Sequence, residues 1–355
     1  MDSFETFSEQ AEAKRLLRAA VSEGPAHAYL FHGPPGVGKR AAAFALAGEL
    51  LGDPGRAARR SHPDLYVLEP VGDQIRIDEI RALRRDLHMR PFEAQRRVYV
   101  VLAADSMNAE AADALLKDLE EPPEYAVVVL VADELGPLPE TIRSRCQLVA
   151  FRRLSQRAVR EELARRAPGL EPERLTALAR VAGGRLDRLE RLLDPAAAAR
   201  REELLAVARG VYRDPEFQPA DAASRLMEGV RAHGAAAKER AEADLETLDL
   251  TAREAETRLR RVQRGAEREE LLAALEELAA WYRDLVVAAV GARDAVVHVD
   301  RLAELDEDAT RERMVGAERA AEAVRETWRG FEELNLSAPL ALEALFVRVR
   351  RELAV

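Results

Sequence analysis

Through the first 150 positions the apolar residues fall into short unbroken runs, and between those runs they recur at helical spacing. Runs at 28–31 (AYLF), 64–70 (DLYVLEP), 96–105 (RRVYVVLAAD), 125–133 (YAVVVLVAD) and 146–151 (CQLVAF) each predict a strand. Positions 98–102 are apolar without a break, the pattern of a strand buried on both faces in a parallel sheet. Between the runs, 8–23 places Leu16, Leu17, Ala20 and Val21 on one stripe, and 76–91 does the same with Ile77, Ile80, Leu83 and Leu87 before Pro91. Residues 40–51 (RAAAFALAGELL) read as a helix closed by Gly52, Pro54 and Gly55, and 108–123 as one stopped by Pro122 and Pro123. Strands and helices that alternate in this way predict a doubly wound α/β domain.

Beyond about residue 155 no strand pattern recurs. SQRAVREELARRA and PERLTALARVA read as helices, and Gly183 and Gly184 break the second before RLDRLERLL. The expected division is an α/β domain over 1–153, a small helical lid over 154–200 and an all-α region over 201–355. Within the last, 235–270 is dense in alternating charges around a thin stripe of Leu245, Leu248, Leu259 and Val262. It reads as a solvated helical arm or hairpin.

Composition narrows the class. The 355 residues are too many for one ordinary core, charged residues make up 33% and aromatics only 5%, a soluble, helix-rich balance. Lys plus Arg total 54 against 64 Asp plus Glu, a net charge of −10. That argues against an autonomous tight DNA binder, although a local basic face is enough for contact. Cys146 is the single cysteine, so an internal disulfide is impossible and a Cys-based zinc site is excluded. The N-terminus, MDSFETFSEQ, is acidic and lacks an apolar signal core, and no run of 18 apolar residues exists. The expectation is a cytoplasmic chain with no membrane span.

The stretch GPPGVGKR (33–40) carries the candidate chemistry. Gly33, Gly36 and Gly38 let backbone N–H groups turn around a phosphate, the following helix adds its positive end, and Lys39 would neutralise phosphate charge. A strand before and a helix after supply the context of a phosphate-binding loop. The next position requires Ser or Thr to hold Mg²⁺, and here it is Arg40, a cation. The third strand ends with Leu102 and Ala103 where a metal-holding acidic pair belongs, and Asp105 comes later in the turn, usable only through a register shift. The loop is therefore a degenerate P-loop. No Mg²⁺ site and no hydrolysis in cis are expected, and ATP binding without hydrolysis stays open. Arg143 and Arg145, in TIRSRCQ, read from spacing alone as a surface pair, and His62, in HPDL, as a turn residue.

HAYLFHGPPGVGK, HPDL, IRIDEIRALRRDL, NAEAADALLKDLEEPP and LPETIRSRCQLVAF together closely resemble the clamp-loader subunits of bacterial DNA polymerase III, an AAA+ family. LAAWYRDLVVAAVGA, VVHVDRL and LNLSAPLALEALFVRVR extend the resemblance to the collar domain of the delta-prime group, and it is weakest over 200–270. Within the family the ATP-hydrolysing gamma/tau group keeps the hydroxyl, the acidic pair and a zinc-binding cysteine cluster. Arg40, Leu102, Ala103 and GDPGRAARRS depart on all three, so the resemblance implies the delta-prime group, with no zinc.

The resemblance also implies roles. Arg145, within Ser144-Arg145-Cys146, would act as an arginine finger in trans on ATP held by a neighbouring subunit. Arg188 falls where the family carries a nucleotide-sensing arginine on the lid. Partners would be gamma/tau and delta subunits, through the AAA+ and collar domains, and the ring would bring the sliding clamp to primed DNA as part of a nucleotidyltransferase holoenzyme. Arg81, Arg84, Arg85 and Arg90 could line the DNA path. An active ATPase of the gamma/tau type and a purely structural scaffold are the alternatives.

Overall fold

A computed structural model describes residues 3–245, 251–333 and 336–353. The chain divides into two compact units, one made of Met1–Pro168 with Gly184–Arg188, the other of Gly169–Gly183 with Leu189–Val355. The segment expected as a lid is thus shared between the two.

In the first unit α1 (Ala11–Glu23) begins three residues later than its apolar stripe suggests. Glu9 and Gln10 adopt left-handed conformations, φ 54° and 57°, because their side chains are held elsewhere. Glu9 accepts hydrogen bonds from the backbone and hydroxyl of Ser155, and Gln10 bonds the backbone of Arg152 in both directions. Then follow β1 (Ala28–His32), α2 (Lys39–Leu51), α3 (Pro54–Ala58), β2 (Leu65–Leu68), α4 (Ile77–Leu87), β3 (Arg97–Val101), α5 (Ala109–Glu120), β4 (Ala126–Ala132), α6 (Glu140–Arg143), β5 (Gln147–Ala150) and α7 (Gln156–Arg166). Pro54 and Gly55 do not merely close α2. Gly52 ends it at φ 74°, and Asp53 caps the short α3, accepting from the Arg56 amide.

All five strands are parallel, in the order β2-β3-β4-β1-β5. The unbroken apolar runs are explained by burial on both faces. Tyr29, Phe31, Val98, Val100, Val127 and Val129 point into a core shared with α1 and α2, while Leu30, Tyr99, Val101, Val128 and Leu130 point into one shared with α4 and α5. The strand order places the end of β1 beside the end of β4. That is where ligands bind in open α/β sheets, at the carboxyl ends of the strands.

In the second unit α8 (Pro172–Val181) is followed, after the glycines at 183 and 184, by α9 (Leu186–Leu193), whose first three residues belong to the first unit. Next come α10 (Pro195–Arg213), α11 (Pro219–Leu245), α12 (Ala252–Ala289), α13 (Leu302–Asp308), α14 (Arg311–Glu333) and α15 (Ala338–Leu353). One core centred on Trp281, Tyr282, Val324 and Phe346 holds α10–α15 together. The charged segment forms the far parts of α11 and α12, with Leu259 and Val262 half-buried. Leu248 and the side chain of Leu245 lie outside the described residues. Buried ions tie this unit together. Asp308 receives Arg209, Arg213 and the Tyr212 hydroxyl. His298, fully buried, lies between Asp284 at 2.8 Å and Glu277 at 3.2 Å, under the Trp281 ring.

Candidate functional site

The glycine loop leaves β1 at His32 and is closed by its own chain. Gly33 has φ 137°, and a Cβ there would sit 2.1 Å from the Phe151 carbonyl oxygen. Gly36 has φ 68°, and a Cβ there would meet Asp187 Oδ1 at 1.8 Å. Both positions therefore require glycine for packing alone. The Leu186 N–H donates to the Gly36 carbonyl at 2.7 Å, and Arg185 grips Asp187 at 2.6 Å. Phe7 packs over Gly38 from the N-terminal segment.

Lys39 is 5% exposed and its ammonium is used internally. It donates to the carbonyls of Gly33 and Pro34 (2.6 Å to the latter) and pairs with Asp133 Oδ1 at 2.7 Å, just past β4. The loop here turns two carbonyls toward its lysine. Burial, followed by the Lys39 charge, holds the neighbouring His32 imidazole below its usual range. Arg40 points away from the loop, to Glu69 Oε1 at 2.6 Å, and Arg60 shares that oxygen at 2.9 Å.

The end of β3 offers little to a cation. Leu102 is buried, and Ala103 takes a left-handed conformation, φ 50°, before a single turn of 3₁₀ helix at Ala104–Ser106. Asp105 Oδ2 accepts the amides of Asp133 at 2.8 Å and Glu134 at 2.9 Å. Burial raises its pKa against those two bonds. Asp105 thus caps the turn after β4. Among the described residues no group of three or more His, Cys, Asp or Glu side chains could hold a metal ion.

Arg145 is found at the other end of the sheet. It precedes β5, which runs parallel to β1, so it lies at the strand start while the loop lies at the strand end. A strand of four or five residues separates the two ends by roughly 15 Å. The side chain is 34% exposed, donates to the Thr141 carbonyl at 2.9 Å and pairs with Glu120 Oε1 at 2.5 Å. Glu120 is the last residue of α5. Burial pushes the Cys146 thiol up to about 12, leaving it a protonated, inert neighbour. The start of α9 sets Arg188 beside Asp187, where its backbone N–H and charge, after the bond and charge of Arg185, lower the Asp187 carboxyl against burial.

The remaining candidates have plain surroundings. His62 Nδ1 accepts the Asp64 amide, and the Asp64 carboxylate in turn accepts the amides of Phe92, Glu93 and Ala94, so HPDL anchors a loop. Of the α4 arginines, Arg84 pairs with buried Asp118 at 2.5 Å and Arg81 with Asp78 at 3.3 Å, while Arg85 and Arg90 are exposed. Asp133, Asp187, Glu69 and Glu120 escape a reading of the sequence alone. Only Asp133 carries a local signal, as the first polar residue after a fully apolar strand.

This geometry joins a sheet order and loop position to a set of motifs shared with known proteins. Residues 9–155 match the family described as DNA polymerase III, delta subunit. The chain is 34% identical to the DNA polymerase III subunit delta' of Bacillus subtilis over 162 residues, 42% of this chain and 49% of that one. It is 37% identical to the delta' subunit of Pseudomonas aeruginosa over 174 residues, 45% of this chain and 53% of that one. The matches thus span about half the length of these relatives. The tau subunit of Bacillus subtilis is 31% identical over 159 residues. These matches support the delta-prime resemblance carried by the motifs. A crystal structure of a DNA polymerase III gamma subunit-related protein from Thermotoga maritima shares the fold, with a TM-score of 0.50 at 19% identity, over 96% of this chain and 99% of that one. The architecture expected from the sequence, a parallel α/β domain followed by helices, is the one observed. No helix among the described residues is long and apolar enough to cross a membrane.

Proposed function

We propose that this chain is a clamp-loader subunit of the delta-prime kind, one that hydrolyses no ATP itself and lends Arg145 to a nucleotide site on a neighbouring chain. The observation that carries this is the pairing of an internally filled loop with an arginine at the opposite end of the sheet. Lys39 is engaged by two carbonyls and Asp133, and Arg40 by Glu69. A phosphate entering the loop would have to displace Lys39 from all three partners and the Asp187 turn from Gly36. Arg145 lies a strand length away from that loop, so any γ-phosphate it serves belongs to another molecule. Its guanidinium, planar and always charged, is held at the surface by one half-exposed carboxylate. On reaching a neighbouring site it would exchange Glu120 for the developing charge on the transferred phosphoryl group.

The wider role follows by analogy with the relatives. Joined to gamma/tau and delta subunits through both units, the chain would be the fixed member of a ring that brings a sliding clamp to primed DNA, in the cytoplasm. Arg188 would then be a relic of a nucleotide-sensing position, its charge satisfying Asp187.

Two measurements test the proposal. Isothermal titration of the isolated chain with ATP, with and without Mg²⁺, together with steady-state turnover, should give no hydrolysis; turnover by the isolated chain would favour an active gamma/tau-type enzyme. In the assembled loader, Arg145→Ala should lower turnover at the one adjacent site by on the order of 10³-fold, the range of an arginine finger, with a smaller fall in the total. An unchanged DNA-stimulated ATPase would leave a scaffold role only.

A further inference from the structure

Arg143 and Arg145 leave the same short stretch before β5, but the fold provides for only one of them. Arg145 has partners inside the chain, the Thr141 carbonyl at 2.9 Å and the Glu120 carboxylate. Arg143 ends α6 and is half-buried, and its Nε is buried with no acceptor. Three other arginines among the described residues, Arg97, Arg301 and Arg313, share that unmet, buried Nε. Each of those has another partner for its guanidinium. Arg97 pairs with Asp86 at 2.7 Å, Arg301 pairs with Glu304 at 3.2 Å, and Arg313 donates to the Asp308 carbonyl at 3.2 Å. Among the described residues the Arg143 side chain has neither a hydrogen bond nor an ion pair. Taking a guanidinium partly out of water without giving it an acceptor costs free energy, so such a group calls for a partner from outside the chain.

Its surroundings suit a protein partner. β5 is an end strand of the sheet, bonded to β1 alone. Leu148 stands beside Leu30 in that ladder, and while Leu30 is fully buried, Leu148 is 44% exposed. The segment 143–148 thus offers an arginine with no internal partner, an exposed apolar side chain and an open strand edge, with Arg145 between them. Apolar contact beside arginine is the ordinary make-up of a protein–protein interface.

We infer that Arg143 is a positioning residue: it takes a carboxylate of the neighbouring ATP-bearing chain and so seats that chain where Arg145 reaches its nucleotide. The inference rests on the trans role proposed for Arg145. A carboxylate suits Arg143 better than the nucleotide does. Phosphate comes and goes with each turnover, and Arg145 has Glu120 to return to in between. Arg143 has no such alternative, so the partner that matches it is one present for as long as the two chains are together. The planar guanidinium fork fits a carboxylate in that standing role.

The test uses the full chain binding to an immobilised gamma/tau subunit in Mg-ATP, read by surface plasmon resonance, and the assembled loader for turnover. R143A should raise the Kd about tenfold or more, the scale of removing one partner from a partly desolvated ion pair. R143K, which keeps the charge without the fork, should recover part of that loss. Turnover at saturating chain should fall far less for R143A than for R145A. L148S should raise the Kd about fivefold. By itself the R143A chain should melt no lower than wild type, because nothing inside the chain depends on this guanidinium. No binding by wild type, or an unchanged Kd in folded R143A, would overturn the inference. So would an isolated R143A chain melting several degrees low, since Arg143 would then serve its own fold, or a turnover loss at saturation as large as that of R145A, since Arg143 would then touch the nucleotide. The trans role of Arg145 fails separately, by unchanged turnover of R145A at saturation, and the R143A Kd still decides whether Arg143 docks the neighbour.

Discussion

Replacing Lys39 with Met separates a loop built for phosphate from one built around its own lysine. In a loop that waits for nucleotide, the lysine adds little to the free protein, and its loss abolishes binding at little cost in stability. Here the ammonium is 5% exposed and serves the Gly33 and Pro34 carbonyls and Asp133. Two charge-assisted bonds to main-chain oxygens set a ceiling of roughly 3–6 kcal/mol. The pair with half-exposed Asp133 contributes at most about 1 kcal/mol after solvent screening. Water can reach the half-buried carbonyls, and Met regains apolar burial, so the net loss expected is about 2 kcal/mol. For a unit of this size that is about 4–8 °C in melting temperature. Differential scanning fluorimetry of Lys39→Met and Asp133→Asn should give that order, with the aspartate variant shifted far less. A Lys39→Met chain melting within about 1 °C of wild type would refute the reasoning. So would a wild-type chain stabilised by several degrees with 1 mM Mg-ATP, since nucleotide would then be displacing those contacts with ease.

Other outcomes follow from the same geometry. Glu120→Gln removes a half-exposed tether of Arg145, so stability should change by less than about 1 kcal/mol and turnover at the adjacent site of an assembled loader should not fall; a tenfold loss there would mean Glu120 orients the guanidinium. Burial alone would lower the His298 pKa, but the hydrogen bonds its ring donates to Asp284 and Glu277, with the charges of both, raise it to about 9. A folded pKa raised above the ordinary value near 6.5 gives stability that is full below about pH 6.5 and lost as pH rises toward 9, up to about 3 kcal/mol in all; denaturant unfolding of wild type and His298→Gln should diverge in that window, and parallel pH curves would count against it. Gly316→Ala places a Cβ 2.1 Å from the Glu352 carbonyl oxygen, where α14 meets the end of α15, and should cost about 1–3 kcal/mol by overpacking despite better helix propensity; a more stable variant would show that α15 yields freely.

The middle of the sheet was legible because β1, β3 and β4 are buried on both faces, so apolar runs such as 98–102 and 126–132 mark it without ambiguity, whereas the edge strands β2 and β5 are only partly covered. The departures from a metal-holding loop were legible because Arg40, Leu102 and Ala103 stand at fixed spacing. The contacts that close the loop were not, because they join Lys39 to Asp133 and Gly36 to Asp187 across nearly 100 and 150 residues, and nothing local in either partner marks the pairing. Asp105 shows the same limit from the other side: its type suits a cation, but its place past the end of β3 gives it to the amides after β4. The left-handed Glu9 and Gln10 delay α1 through partners at Arg152 and Ser155.

Gly33 and Gly36 have one more consequence. The Phe151 carbonyl and the Asp187 carboxylate already fill the space that any side chain at these two positions would need, and Gly38, at φ 99° under Phe7, and Lys39, with its internal partners, are held as well, so folding by itself disfavours drift away from the G-x-x-x-x-G-K spelling. A chain of this kind would keep its signature through any length of descent without a nucleotide ever entering the loop. In such a lineage the signature records what the protein must pack against itself, and a census of ATPases taken by that spelling would count it in error.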